Sequence, residues 1–209
     1  MKYEIYKRDN VMCGRFETVL SVQSLFTLFK ENDIDLKIPF KDATGKTENI
    51  APTEKIFSIN YSNKNFILSR TNWGIKFSDG SPLIFNSRIE TIKTKNFWGN
   101  LFDKNRALVP MTGFYEWKKE KYKKIPYRIY LPDEKIFFVP ALSYTDRNKD
   151  TFTSLITTTP NAFIRQVHHR MPVILKLKEG LNYLVADKET IFNMCIPYKG
   201  EMQMDLADI

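Results

Sequence analysis

The stretch Lys55-Ile56-Phe57-Ser58-Ile59-Asn60-Tyr61-Ser62-Asn63-Lys64-Asn65-Phe66-Ile67-Leu68 decides the fold class. Two runs rich in β-branched and aromatic residues, Ile56 to Tyr61 and Phe66 to Leu68, flank a Ser-Asn-Lys turn, the pattern of an antiparallel hairpin. Toward the C-terminus, Tyr127 to Leu131 and Ile136 to Val139 repeat the pattern around Pro132-Asp133 and read as a second hairpin. Phe152 to Thr158 gives another strand, and Val173 to Leu177, after Pro172, a last one. Toward the N-terminus, Thr18 to Lys30 places Val22, Leu25, Phe26 and Phe29 on one face at helical spacing, with Ser21 as cap. Pro160 stands where a first helical residue would and opens a short helix that carries Phe163, Ile164 and Val167 inward. No closing strand is evident after Cys195. The expected class is α+β: a mostly antiparallel, curved or barrel-like β-sheet with a few peripheral helices. A chain of 209 residues supports one sizeable core, so residues 1–209 are read as a single domain and a monomer is expected.

The formal charge of +8 and pI near 9.3 favour a polyanionic partner, because each phosphate neutralised by Lys or Arg releases a condensed counterion. Nucleic acid fits; a merely basic protein fits the charge equally well. No run approaches the roughly 20 apolar residues of a spanning helix, and Met1 to Met12 lack a signal peptide's apolar core. No membrane partner and a cytoplasmic location are therefore expected. Cys13 and Cys195 stand near opposite ends of the chain without a CxxC, so no metal site is expected. No small-molecule cofactor is expected either. Cys195, within Ile191-Phe192-Asn193-Met194-Cys195-Ile196, reads as a small buried hydrophobe.

Few residues in this chain suit proton transfer at neutral pH. The two histidines are adjacent, His168 and His169, just before Arg170-Met171-Pro172. Glu116 stands among aromatics in Val109-Pro110-Met111-Thr112-Gly113-Phe114-Tyr115-Glu116-Trp117, where desolvation would raise its pKa toward a useful value. Period-two alternation equally allows it to point at solvent. Asn86 and Arg88, in Phe85-Asn86-Ser87-Arg88-Ile89-Glu90-Thr91, are two apart and share one face of an extended segment. An amide there can position a reactive group and a guanidinium can grip a phosphate, while an exposed polar strand face explains the pair as well.

Six motifs in order, Met12-Cys13-Gly14-Arg15-Phe16, Ala51-Pro52-Thr53, Trp73-Gly74, Asn86 to Thr91, Gly113 to Trp117 and His168 to Pro172, closely resemble those of the SOS-response-associated peptidases, also called abasic-site-processing proteins. The resemblance runs from Cys13 to about Leu175. It implies a substrate, the open-chain aldehyde of an abasic deoxyribose in single-stranded DNA, and a nucleophile, Cys13, once it is the first residue. The α-amine condenses with the aldehyde to an imine and the thiol adds to the same carbon, closing a thiazolidine. An internal cysteine has its nitrogen tied up in an amide and cannot close that ring. An α-amine of pKa about 7.8 is roughly 15% neutral at pH 7, against about 0.04% for a lysine. About 3% of a thiol of pKa near 8.5 is thiolate there, so a nearby base or cation helps the second step.

By the same resemblance Glu116 shuttles protons during imine formation, His168 assists opening of the sugar ring and Asn86 orients Cys13 and the lesion. Arg15, Arg88 and Arg170 grip phosphates beside the lesion. Trp73, Trp117 and Thr157 complete the DNA-binding set, with the core as the competing place for both tryptophans. Lyase-like crosslinking and a self-processing peptidase activity are both implied.

Two departures from the pattern matter. Family members begin Met-Cys, whereas eleven residues precede Met12 here, so residues 1–12 are expected to be absent or removed in the active form. The loop after Trp73, where some members carry a Trp-rich stretch that stacks on DNA, reads Gly74-Ile75-Lys76-Phe77-Ser78-Asp79-Gly80-Ser81-Pro82, with Phe77 its one aromatic. Two rival readings use the same residues. One is a cysteine peptidase with Cys13, His168 and Asn86 as nucleophile, base and orienter; the other is a non-catalytic module for single-stranded nucleic acid.

Overall fold

The computed structural model describes residues 14–40, 47–77 and 80–209. Cys13 and the prefix 1–12 lie outside the described residues. The chain order is β1 (Arg15–Glu17), α1 (Val22–Glu31), β2 (Leu36–Lys37), β3 (Lys55–Ser62), β4 (Asn65–Trp73), β5 (Asn86–Arg88), α2 (Ile89–Thr94), α3 (Asn96–Lys104), β6 (Arg106–Met111), β7 (Gly113–Glu120), β8 (Lys123–Tyr130), β9 (Phe137–Thr145), β10 (Thr151–Thr158), α4 (Ala162–Arg165), β11 (Met171–Pro172), α5 (Leu177–Val185), α6 (Lys188–Met194) and β12 (Gln203–Leu206).

The hairpin read first from the sequence is present and longer than its apolar runs: β3 and β4 pair antiparallel from Lys55 with Asn72 to Ser62 with Asn65. Its two-residue turn, Asn63-Lys64, takes φ of +48° and +61°, the left-handed pair that matches strand twist in tight hairpins. From β3 the ladder continues through β6, β9 and β10. A short parallel pairing of β10 with β4, Phe152 to Asn72 and Thr153 to Trp73, then closes the circuit. The barrel-like, α+β expectation is therefore met by a closed five-stranded circuit. A second sheet, in the order β1-β7-β8-β12, stands beside it.

Strands of the barrel are apolar on both sides because both sides are covered. In β6, β9 and β10, Leu108, Phe138, Leu142 and Ile156 join the core shared with Leu25 and Phe29 of α1, Phe102 of α3, Tyr183 of α5 and Ile191 of α6. Their alternates Ala107, Val109, Phe137, Val139, Ala141 and Leu155 join the core shared with Phe16, Phe114 and Ile129 of the second sheet. Period-two alternation thus sorts one set of strands into two cores. Each buried Phe or Leu contributes on the order of 2 kcal/mol.

Several sequence expectations are corrected here. Tyr127 to Leu131 and Ile136 to Val139 do not form a hairpin. β8 pairs with β7 from Phe114–Ile129 to Glu120–Lys123, while β9 pairs with β6 and β10, so Pro132-Asp133 passes the chain between sheets rather than turning it back. Pro160 is not the first helical residue; Asn161 caps α4 by accepting from the Ile164 N–H at 2.9 Å, and of the three apolar residues only Ile164 is fully buried. Val173 to Leu177 is not a strand. It contributes one bridge, Phe138 to Leu175, and Leu177 already begins α5. A closing strand does exist: β12 pairs with β8 from Gln203–Tyr130 to Leu206–Tyr127. The helix at Thr18 to Lys30 begins only at Val22, with the Ser21 hydroxyl accepting from the Ser24 N–H at 3.0 Å. Among the described residues no helix is long and apolar enough to cross a membrane.

Candidate DNA-processing site

The site is organised by the far end of β10. Along one edge of that strand β4 pairs only at Phe152 and Thr153, and β5 takes over at Leu155 to Thr157, opposite Asn86 to Arg88. The chain leaves the edge at Gly74, whose N–H donates to the Thr153 carbonyl at 2.8 Å, and returns where the Phe85 carbonyl accepts from Leu155 N–H at 2.9 Å. Gly74 turns at φ +114°, and a Cβ there would meet Leu83 at 2.8 Å, so the exit requires glycine. On the other edge, β9 pairs as far as Leu155 with Ala141. The next residue of β9 toward its start is Pro140, which has no N–H for a ladder.

This handover projects Asn86 and Arg88 to the same side, as the spacing predicts, while Ser87 turns inward and its Oγ lies 2.8 Å from Ser154 Oγ. Arg88 is exposed and makes no ion pair among the described residues. Past the end of β10, Arg170 folds back. Its guanidinium donates to both carboxylate oxygens of Glu90, at 2.8 and 2.9 Å, and to the Thr157 carbonyl at 2.8 Å. The same guanidinium holds the Glu90 carboxyl below its usual range. Arg170 is only 8% exposed, and its two outer nitrogens serve this anchor. Thr157, 1% exposed, is corrected: it supplies acceptors to Arg170 from inside and presents no surface to a nucleic acid. Glu90 itself had no role in the sequence reading, although it stands two residues after Arg88 in a quoted motif.

His168 follows α4, with its N–H bonded to the Ile164 carbonyl at 2.8 Å. The Arg170 N–H donates to His168 Nδ1 at 3.1 Å, so in the neutral ring the proton resides on Nε2. Burial, and then the neighbouring His169 ring 4.3 Å away, push the His168 pKa down to about 4. The positive charges of Arg170 and of Lys124 of β8 act in the same direction. The imidazole is therefore neutral at physiological pH and offers an Nε2–H.

Glu116 and Trp117 come from β7 in the second sheet. Glu116 shares the strand face of Phe114, two residues away, and is 2% exposed. Of the two orientations left open by the sequence, the inward one is found. Its face meets the β10 region through a ring stack: Phe16, opposite Phe114, packs edge-on against Trp73 at 4.8 Å, and Trp73 against Phe85 at 5.7 Å, next to Asn86. Trp73 is completely buried and its Nε1–H donates to the Phe85 carbonyl at 3.0 Å. It is a core residue, and the expectation that it touches DNA is corrected. Trp117 remains half-buried. Arg15, half-buried on β1, faces the same side as Tyr115, its partner in register.

The opposite face of the second sheet carries a charge network absent from the sequence reading. Glu17, 4% exposed, accepts from Tyr115 Oη at 2.6 Å and from Arg128 Nε at 2.8 Å, and Thr112 Oγ1 lies 3.2 Å away. Burial and this carboxylate push the Tyr115 pKa up. A Cβ on Gly113 would meet Glu17 Oε1 at 2.9 Å, so the network also needs that glycine. Cys195 is buried, as expected, and desolvation pushes its thiol up to about 12. Among the described residues no group of His, Cys, Asp and Glu could hold a metal.

The barrel with its flanking sheet is a known architecture. A solved structure of a Bacteroides thetaiotaomicron protein matches it with a TM-score of 0.78 at 23% identity, covering 94% of this chain and 92% of the other. One from Bordetella bronchiseptica gives 0.76 at 17% identity, covering 94% and 100%. The chain belongs to the SOS response associated peptidase (SRAP) family, which it matches over residues 12–207. The abasic site processing protein YoaM of Bacillus subtilis is 32% identical over 203 residues, covering 91% of this chain and 88% of its own length. The abasic site processing protein YedK of Escherichia coli is 30% identical over 186 residues, covering 85% and 83%.

Proposed function

We propose that this chain captures abasic sites in single-stranded DNA as a covalent adduct of Cys13, acting as a single domain from which residues 1–12 are absent. The α-amine of Cys13 adds to the aldehyde carbon and one water leaves, giving an imine. The thiol sulfur then bonds to that carbon and its proton passes to the nitrogen, closing a thiazolidine. Glu116 moves protons in the first step and Asn86 orients the reactants. The His168 Nε2–H donates toward the sugar ring oxygen as the ring opens. Arg15 and Arg88 hold flanking phosphates, Arg170 fixes the β10 end through Glu90 and Thr157, and Trp117 stacks on a base.

The observation that carries this reading is the pairing of β1 with β7. The strand that begins two residues after Cys13 lies in register against the strand that holds a deeply buried Glu116. Names of relatives 30% or more identical, and a family match that begins at Met12, support the substrate and the loss of the prefix. A papain-like division of labour fits less well, because the Nδ1 lone pair of His168 already accepts the Arg170 N–H and Nε2 then bears a proton, so the ring offers a donor and not a base.

Protein beginning at Cys13, mixed with an abasic oligonucleotide, is expected to form a heat-stable protein–DNA band. Cys13→Ala, or the prefix left in place, abolishes it. Glu116→Gln slows its formation by about 10²- to 10⁴-fold, the usual contribution of a positioned acid–base group. Normal rates in both Glu116→Gln and His168→Ala would overturn the roles given to them.

A further inference from the structure

The β7–β8 hairpin carries charge that the site does not use. Its end reads Lys118-Lys119-Glu120-Lys121-Tyr122-Lys123-Lys124, five lysines less one glutamate, a net +4 within a chain whose whole balance is +8. Lys118 Nζ stands 3.3 Å from Glu120, while Lys119, Lys121 and Lys123 are exposed and make no ion pair among the described residues. Lys119 and Lys124 lie directly opposite one another in the ladder, a like-charge placement that weakens a strand pair. Tyr122 is 101% exposed, so its ring covers nothing in the protein. The turn has only two residues, and Lys121 occupies φ +45°, a conformation where glycine would be unstrained, yet a cationic side chain stands there.

The tip lies on the same strand that holds Glu116 and Trp117. β7 runs without interruption from Glu116 and Trp117 to Glu120, and the four steps from Glu116 to Glu120 span about 14 Å at the rise of an antiparallel strand. At the hairpin's other arm, Lys124 is close enough for its charge to be felt at His168.

We propose that the hairpin tip is a second nucleic-acid contact, in which Lys119, Lys121 and Lys123 bind backbone phosphates of the chain leaving the lesion and the Tyr122 ring stacks on a base. It rests on the proposed function for its direction, but binds through phosphates and needs no lesion. The backbone can be that of the continuing single strand or of a flanking duplex, and the two are separable by experiment.

The test uses full-length protein beginning at Cys13, a Lys119→Gln/Lys121→Gln/Lys123→Gln variant, and a Tyr122→Ala variant. All substituted side chains are at the surface, and thermal melting is expected not to fall. Binding to an undamaged oligonucleotide of about 30 nucleotides, longer than the site of a typical single-strand binder, is followed against salt concentration. The lysine variant is expected to reduce the log–log salt slope by about 2, three phosphates at roughly 0.7 each. Tyr122→Ala is expected to lose about tenfold in affinity, as a lost stack does. A flanking duplex as the true partner would show the slope change only with a duplex-flanked substrate, and then nearer 3. Crosslinking to a very short abasic oligonucleotide, which ends before the tip, keeps its rate in both variants. Parent-like affinity and slope on both substrates would overturn the hairpin contact. A parent protein that binds DNA but never crosslinks would instead overturn the thiazolidine chemistry and leave the hairpin result standing.

Discussion

The barrel and the sheet beside it bury polar groups in different ways. Between the barrel strands, buried hydroxyls pair with one another, Thr71 Oγ1 2.8 Å from Thr153 Oγ1 and Ser87 Oγ 2.8 Å from Ser154 Oγ, and the Trp73 indole donates to a backbone carbonyl. The four-stranded sheet buries two carboxylates, Glu17 and Glu116, on opposite faces. Removing a charge from water costs far more than removing a hydroxyl, so buried charges need a partner or a function. Glu17 has its partners in Tyr115, Arg128 and Thr112 and is a structural anchor. Glu116 lies on the other face, that of Phe16 and Phe114, where Phe16 packs against Trp73 of the barrel. In the function proposed above, the barrel is the platform, and the thin sheet against it brings the acid.

The contrast is sharpest between the two tryptophans. Trp73→Ala is expected to cost about 4 kcal/mol in urea unfolding, the range for a fully buried aromatic. Trp117→Ala should cost under about 1 kcal/mol in the same measurement, yet weaken single-stranded DNA binding about tenfold. Equal losses of stability would erase the distinction. Arg128→Ala comes next. It leaves Glu17 buried without its cation and should cost about 2 kcal/mol, less than a fully buried pair because Arg128 is one-third exposed.

A smaller effect appears only with acid. The folded-state pKa of His168, about 4, lies below the ordinary imidazole value of 6.5, so between these values the unfolded chain binds the proton that the native chain refuses. Stability from this residue is complete above pH 6.5 and is lost as pH falls toward 4, with no further loss below. His168→Gln should flatten unfolding free energy across that window, and an unchanged slope would place the burial elsewhere. Smallest is Thr157→Val. Arg170 keeps Glu90 and the Thr157 carbonyl, so stability should change by less than about 1 kcal/mol, and DNA affinity should not change at all.

Local signals in the sequence were legible where local physics decides. The Ser21 cap, the Asn63-Lys64 turn, the strand at Phe152 to Thr158 and the shared side of Asn86 and Arg88 all follow from spacing within a few residues. Long-range pairing was not legible. Nothing near Pro132-Asp133 shows that its flanking strands join different sheets. β12 reads Gln-Met-Asp-Leu, too polar and short to signal a strand before β8 is there to receive it. α5 was hidden by Gly180, a poor helix former, which is required because a Cβ there would meet Leu108 at 3.1 Å and Phe138 at 3.3 Å. In the site, the family resemblance put Arg170 and Thr157 in the DNA-binding set without revealing that they bind each other. Burial separates Trp73 from Trp117, and burial is a property of the whole fold.

The central claim concerns the amine of Cys13, and intact mass tests it directly. Protein starting at Cys13 and an abasic oligonucleotide are expected to give a heat-stable adduct weighing the sum of the two less one water, and protein whose Cys13 amine is acetylated should give none. A stable adduct of the same mass from the acetylated protein would contradict the account.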